Sequence, residues 1–513
     1  MLQQVLKKTI NNLLELCDDH VGSFLKSAGW ALLMISKSKA LSKELIIWVQ
    51  WRSLTNYGCF EDGDDNVVAS ASIKDFVWKA MNAVYLYKSD INDLSDDRFE
   101  SNEELQNFLD SYDTPENLFE SLIHDRQNVD RFSIITDNYF ELEQQLSGIS
   151  RSTGADFNFY LEPGSSTEIF GIVRLILPNS NASLTGLTRG DIFNKINGVN
   201  LTTSNLSSLL NNDNYTISLA TYDDNETATI SDDLIADGDQ IVDLSKEDYI
   251  ENPIYDYRII NQDNDKIGYL MYNGFVGEYN SELNQVFSAF LTENINHLVL
   301  DLRYNSGGNI RTATELASMI TGQFYNQVFT ILKYNESLQS NNQDFLFTNS
   351  LDNNNSINSL NLNKIYVLTS NRSASASEMI INSLKSYISV VQIGDQTVGK
   401  SQASQIIYDS QNLSRNNVNS GHTYALLPLI AITVNKNDET VPSDGIAPSI
   451  NIVEKPSNYG LIGDIEEPLL KAALLDIQGS NRLYDQNNNK IYPFDISSTK
   501  KYENIMYVKT SKK

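Results

Sequence analysis

KIYVLTSNRSASASEMIINSLKSYISVVQIGDQTVGK, residues Lys364–Lys400, is the stretch that decides the fold. A β-branched run from Lys364 to Thr369 comes first, then Ser370-Asn371-Arg372, then alternating Ser and Ala that open a helix. Ser375 and Glu378 stand at the S-x-x-E spacing of a capping box, which marks a helix start. Met379, Ile380, Leu384 and Tyr387 give that helix an apolar face suited to a sheet, and Val390 to Ile393 reads as the next strand. Strand, helix and strand in so short a span make a βαβ unit, with parallel strands and a right-handed crossover. Ser375 leaves the first strand and Lys400 follows the second, both at the carboxyl edge where open parallel sheets place ligands.

A serine and a lysine far apart in sequence can therefore meet in one crevice. A serine hydroxyl is a poor nucleophile until a base takes its proton, and a desolvated, neutral lysine can take it. An isolated S-x-x-E would mean only a helix cap, and a lone lysine only a solvated loop charge. The pattern here is longer: SASASE after one strand and TVGK after the next closely resemble the signature of the C-terminal processing (tail-specific) peptidases. That resemblance implies Ser375 as nucleophile and Lys400 as its base.

The chain has 513 residues, enough for about three domains. Its net charge of −28 argues against binding a phosphate backbone, so no nucleic-acid partner is expected. Cys17 and Cys59 supply neither a disulfide framework nor a metal cluster. The four histidines, His20, His124, His297 and His422, are all distant in sequence from Ser375, so a histidine base requires long-range folding. No run approaches the roughly 18 apolar residues of a spanning helix.

Residues 1–70 fit the rest poorly. Basic residues Lys37, Lys39 and Lys43, the apolar Leu45–Trp51 and then Gly58-Cys59 resemble a degraded bacterial lipoprotein signal. The acidic residues after it resemble the flank of exported lipoproteins of the Bacteroidetes type. The resemblance implies export, to the periplasm or as an outer-membrane lipoprotein, with membrane attachment through a lipidated Cys59. A plain helical arm or upstream extension with an inert Cys59 is the other reading.

Residues 71–147 read as a helical cap domain. Ile73, Phe76, Val77, Ala80 and Val84 follow helical spacing behind Ser72, Ser101 to Glu104 is a second capping box, and Thr114-Pro115 opens a third helix. Residues 148–235 read as a small β-rich domain. Gly190-Asp191 and Asn197-Gly198 mark turns around a short strand, and Tyr215–Tyr222 and Glu226–Ile230 look strand-like. Leu187 to Gly198 resembles the PDZ domains carried by these peptidases, which implies binding of an extended peptide by strand addition. The Ile169–Leu177 strand is the expected edge, with Ile169, Gly171 and Val173 as peptide-binding candidates.

Residues 255–475 read as the α/β core, and 476–513 as a C-terminal extension. His297–Leu302 is a strand followed by Arg303-Tyr304-Asn305-Ser306-Gly307-Gly308 and a helix through Thr312–Ile320. Paired glycines let the backbone turn with φ > 0 and expose N–H groups at a helix start. DLRYNSGG resembles the family's DLR-x-N-x-GG, which implies an oxyanion hole from the Gly307/Gly308 turn and the N–H of Ala376. Asp301 and Arg303 are expected to hold that loop together rather than react. Better-known members place a glutamine four residues after the lysine to orient it; here that position is Ser404, with Gln402 and Gln405 beside it.

The resemblance implies an α/β fold: a crotonase/Clp-protease-like core with a β-rich PDZ-like domain and a helical N-terminal cap. It implies a serine endopeptidase with a Ser-Lys dyad, a protein or peptide substrate cut near its C-terminus, and no metal or cofactor. Two rivals stand beside it. One is a catalytically weak or inactive PDZ-type peptide-binding protein of the cell envelope; the other is a crotonase-type enzyme acting on acyl-coenzyme A, for which no basic phosphate-binding stretch is present.

Overall fold

The structure, a computed structural model, describes residues 72–479 except 228, 230 and 231, together with 502 and 504–508. The expected signal or arm at 1–70, with Cys59, lies outside the described residues, as does most of the 476–513 extension. The helical part comprises α1 (Ile73–Val84), α2 (Asn102–Asp110) and α3 (Pro115–Ser121). Ser72, Ser101 and Thr114 each accept a first-turn N–H, as their spacing predicts. The apolar faces of these helices form one cluster that includes Phe76, Val77, Leu105, Leu118 and Phe119. Ile407 and Leu426, from the α/β part of the chain, belong to the same cluster, so the cap is packed onto the core.

The β-rich module is an antiparallel sheet of β1 (Ala155–Leu161), β2 (Ile169–Ile176), β3 (Ile192–Ile196), β4 (Asn214–Asp223) and β5 (Leu234–Ser245), adjacent in that order. This corrects the expected edge. The Ile169–Leu177 stretch pairs on both sides, with β1 and with β3, and Ile169 and Val173 lie in the module's core. Gly171 faces the Phe193 ring, where an added Cβ would stand 2.3 Å from a ring carbon. None of the three can meet a peptide; the module's edges are β1 and β5. Of the strand-like Glu226–Ile230 stretch, Glu226 and Thr227 lie in a turn, Asn225 and Glu226 having positive φ, and the return strand starts at Leu234.

The core follows in chain order as β6 (Ile254–Gln262), β7 (Asp265–Tyr272), α4 (Asn280–Glu293), β8 (His297–Asp301), β9 (Gly308–Asn309), α5 (Ile310–Thr321), β10 (Val328–Tyr334) and β11 (Gln343–Leu346). Then come β12 (Lys364–Thr369), α6 (Ala376–Leu384), β13 (Ser389–Gly394), β14 (Gln402–Ser404), β15 (Leu429–Val434), β16 (Ile450–Asn451), α7 (Pro468–Ile477) and β17 (Met506–Tyr507). One sheet has the order β6-β7-β8-β12-β13-β16, parallel from β7 onward. The second has the order β9-β17-β14-β15-β10-β11.

Alternation along the parallel strands feeds two cores. Leu270, Leu298, Leu300, Ile365 and Val367 meet α4, α5 and α6, in a cluster that also takes Phe329, Leu332 and Ala403 from the second sheet. Tyr269, Met271, Val299, Tyr366 and Leu368 point the other way, onto Leu469, Leu470 and Ala473 of α7. The expected βαβ unit is β12-α6-β13, its strands paired in parallel over Lys364–Thr369 and Ser389–Gly394. Its carboxyl edge carries the two residues of interest.

Candidate active site

Between β12 and α6 the chain turns sharply at Ser375, which has φ 66°. A side chain there is strained by about 1–3 kcal/mol, a cost typical of functional turns. The turn differs from the expected capping box in one respect. Glu378 fulfils its half, its Oε2 accepting the Ser375 N–H at 2.7 Å, but the Ser375 hydroxyl caps nothing. That hydroxyl is buried and has no hydrogen-bond partner among the described residues. The neighbouring serines differ: Ser373 Oγ donates to the Leu302 carbonyl at 2.8 Å and Ser377 Oγ to the Asn305 carbonyl at 2.9 Å. Of these three hydroxyls, the fold leaves one free for chemistry.

Lys400 is fully buried, and burial pulls its pKa from the ordinary lysine range down to about 7, against a smaller upward pull from Asp130 and Glu378. Its Nζ stands 4.9 Å from the centroid of the Phe132 ring and donates to the carbonyl of Asn504 at 2.6 Å. Gly399 before it is at φ 86°, and a Cβ there would stand 2.2 Å from the Ser443 carbonyl oxygen, so the Gly-Lys pair is required by close packing. Arg131 braces this loop from the cap side. Its Nη2 donates to the carbonyls of Gly399 and Ser443, each at 2.9 Å, and to Val398 at 3.3 Å. Asp130 fixes the segment that carries Arg131 and Phe132, accepting from the N–H groups of Phe132 and Ser133 and from Tyr85 Oη at 2.7 Å.

The two turns are joined by one carboxylate. Glu378 Oε2 accepts from Ser375 N–H and from Lys400 N–H at 2.9 Å, while Oε1 accepts from Gly399 N–H at 2.7 Å and Thr397 Oγ1 at 2.5 Å. These four bonds favour the charged form, yet burial outweighs them and raises the Glu378 pKa. Glu378 was legible only as a helix-capping residue; here it sets the spacing between the serine and lysine turns.

The glycine turn lies against Ser375. A Cβ on Gly307, at φ 117°, would stand 2.8 Å from Ser375 Oγ. The Gly307 N–H is already donated to Asn305 Oδ1 at 2.9 Å, so it is not available to an oxyanion. Phe275 uses the Gly307 carbonyl and the Asn309 N–H, at 2.9 and 2.8 Å, which turns the N–H of Gly308 to the other side. Gly308 and Ala376, at the first position of α6, are thus the two donors the turn can offer, Ala376 because no carbonyl of its own helix reaches it. Arg303 does hold the loop: fully buried, it bonds Asp301, Glu454 and Glu467. Glu467 in turn caps α7.

None of the remaining candidates is hydrogen-bonded to the lysine's amine. Ser404 Oγ is buried without a partner, Gln402 Nε2 donates to Tyr87 Oη at 3.1 Å, and Gln405 follows β14. The hydrogen bond from Lys400 Nζ goes to Asn504 and to none of these three. His297 pairs with Asp265 at 3.2 Å and His422 with Asp409 at 2.9 Å, so neither serves Ser375. Arg131, Phe132 and Asn504 were invisible in sequence, since nothing near them carries a motif and each is far along the chain from Lys400.

Comparison with known proteins places the chain among peptidases. Residues 266–451 match the model of peptidase family S41, and residues 72–134 that of the peptidase S41 N-terminal domain. The chain is 23% identical over 348 residues to a carboxyl-terminal-processing protease of a Picosynechococcus species, covering 66% of this chain and 73% of that one. It is also similar to the crystal structure of a candidate S41 protease from Bacteroides fragilis, with a TM-score of 0.63 and 26% identity over 79% of this chain and 98% of the other.

Proposed function

The chain carries both domains of peptidase family S41, and from that premise we propose that it is a serine endopeptidase working through Ser375 and Lys400. The observation that carries the reading is the pairing of an unpartnered serine hydroxyl on a strained turn with a buried lysine of pKa about 7. Neutral Lys400 takes the Ser375 proton as Oγ attacks the scissile carbonyl. The oxyanion that forms is held by the N–H groups of Gly308 and Ala376, with the α6 dipole behind them. Lys400 then passes its proton to the leaving amine, and a water hydrolyses the acyl-serine by the same route in reverse.

The substrate class within this reading is a protein or peptide cut near its C-terminus, as the name of the Picosynechococcus relative says of that protein. The β-rich module would take such a peptide by strand addition at β1 or β5, in the manner of a PDZ domain. Export with a lipidated Cys59 belongs to the same reading and rests on the sequence around that residue. It is tested by incorporation of a palmitate analogue, which Cys59→Ala must lose.

The deciding experiment is labelling with a fluorophosphonate followed by mass spectrometry of the modified peptide. Modification at Ser375, lost together with peptide hydrolysis in Ser375→Ala, is the expected result. Hydrolysis that persists in Ser375→Ala would overturn the assignment.

A further inference from the structure

The groove beside Ser375 contains a piece of the chain itself. β17 lies between β9 and β14, with Gly308–Asn309 paired in parallel to Met506–Tyr507 and Ser404 paired to Tyr507. The Val508 N–H extends this pairing, donating to the Ser404 carbonyl at 3.1 Å. Phe275 occupies the Gly307 carbonyl and the Asn309 N–H, so the parallel register turns the Gly308 N–H toward the carbonyl of Ile505. The position of Gly307 agrees: a Cβ there would stand 2.7 Å from Ile505 O and 2.8 Å from Ser375 Oγ. One residue earlier, the Asn504 carbonyl takes the hydrogen bond of Lys400 Nζ.

Two groups of the reacting site, the Lys400 amine and the Gly308 N–H, thus face successive carbonyls of one extended segment. Its side chains are buried as well. Met506 is fully buried in the main core cluster, and Ile505 and Tyr507 pack on Leu142 and Leu427. A strand that served only to complete a sheet would need neither the lysine amine nor the face of the glycine turn. Meanwhile Ser375 Oγ has no partner, and the hydrogen bond of the lysine amine goes to the segment's carbonyl.

We propose that residues 504–508 are an intramolecular substrate mimic, bound as an extended peptide across the serine–lysine site, and that other peptides must displace them. The groove they fill accepts an extended backbone with apolar side chains at the Ile505, Met506 and Tyr507 positions. This rests on Ser375 and Lys400 being the reacting pair. While the segment is in place the lysine amine is engaged by the Asn504 carbonyl, and the Gly308 N–H is covered.

The test uses the full chain with Met506→Asp, which would bury an unpaired carboxylate and so expel the segment. Tyr507→Pro, which removes a ladder N–H without adding charge, is the second variant. Fluorophosphonate labelling of Ser375 is expected to be at least about 10-fold faster in either variant. A synthetic peptide of sequence YENIMYVKT, that of residues 502–510, should slow it again when added. A second arm needs no catalysis: in a Ser375→Ala background, the fluorescent peptide should bind the Met506→Asp chain and not the chain with its own segment intact, by anisotropy. Unchanged labelling rates in both variants, equal peptide binding with and without Met506→Asp, or variants that lose their melting transition without faster labelling would each overturn the proposal. If no labelling or hydrolysis occurs in any form while the anisotropy difference is present, the Ser-Lys reading fails and the groove assignment stands.

Discussion

Glu378 accepts the backbone N–H of Lys400 at 2.9 Å with the same oxygen that accepts the N–H of Ser375. One buried carboxylate therefore sets the distance between the two turns, and its charge also reaches the lysine amine. Glu378→Gln keeps the shape but presents an amide to some of these donors. We expect a loss of roughly 1.5–3 kcal/mol in stability, as for a bond to a charged group. Because the Glu378 charge raises the Lys400 pKa, its removal should also move the rising limb of the pH–rate profile to lower pH. A purely structural role would lower the rate without moving that limb.

Hydrolysis should rise with pH through an apparent pKa near 7, that of Lys400. Lys400→Arg should be inactive, since a guanidinium stays protonated. An arginine variant that cleaved near the parental rate would exclude a general-base lysine.

The same residue makes a stability prediction of definite sign. The folded pKa of about 7 lies below the unfolded lysine value of about 10.4, so between them the unfolded chain holds the extra proton. Its contribution is complete above about pH 10 and is lost as pH falls to about 7, below which it is constant. Lys400→Met removes this titration and should stabilise the inactive protein at pH 7 by about 2–4 kcal/mol. Thermal melting at pH 7 and pH 10 checks it, the gain at pH 7 being the larger.

Ser373→Ala and Ser377→Ala should keep Ser375 labelling. Each deletes a hydroxyl that donates to a loop carbonyl, which costs about 1 kcal/mol apiece. Denaturant melts and labelling rates separate that cost from the complete loss in Ser375→Ala.

Phe132→Leu should lower the apparent pKa of the rate profile by about half to one unit, because the ring 4.9 Å from Nζ favours the protonated amine. An unchanged profile would reduce Phe132 to packing.

One peptide offered with a free and an amidated C-terminus tests the proposed recognition by the β-rich module. The free form should be bound and cut in preference, and equal handling would leave the module as scaffold.

How far the sequence carried depended on whether the informative contacts were local. Lys364–Lys400 could be read because strand, helix start and strand lie within one crossover, and the paired glycines could be read because positive φ favours glycine. The cap contributed nothing legible to the site, since Arg131 meets Gly399 only after folding and a lone arginine on a loop has no pattern. The edge-strand error had a visible cause: Ile169 to Ile176 reads IFGIVRLI, a nearly unbroken apolar run. Such a run marks a strand covered on both faces, whereas an edge strand more often alternates. Met506-Tyr507 is too short to announce a strand at all, and its partners, Gly308–Asn309 and Ser404, lie elsewhere in the chain.

The grip of Arg131 on the carbonyls of Val398, Gly399 and Ser443 has a consequence for the order of events during synthesis. The cap precedes the lysine loop in the chain and so leaves the ribosome before it. Until the two meet, Lys400 is in water, carries its proton and is worthless as a base. On the proposed mechanism a nascent or partly unfolded chain therefore has no base for Ser375, and docking of the cap on the lysine loop is a precondition for cutting, before any displacement of residues 504–508.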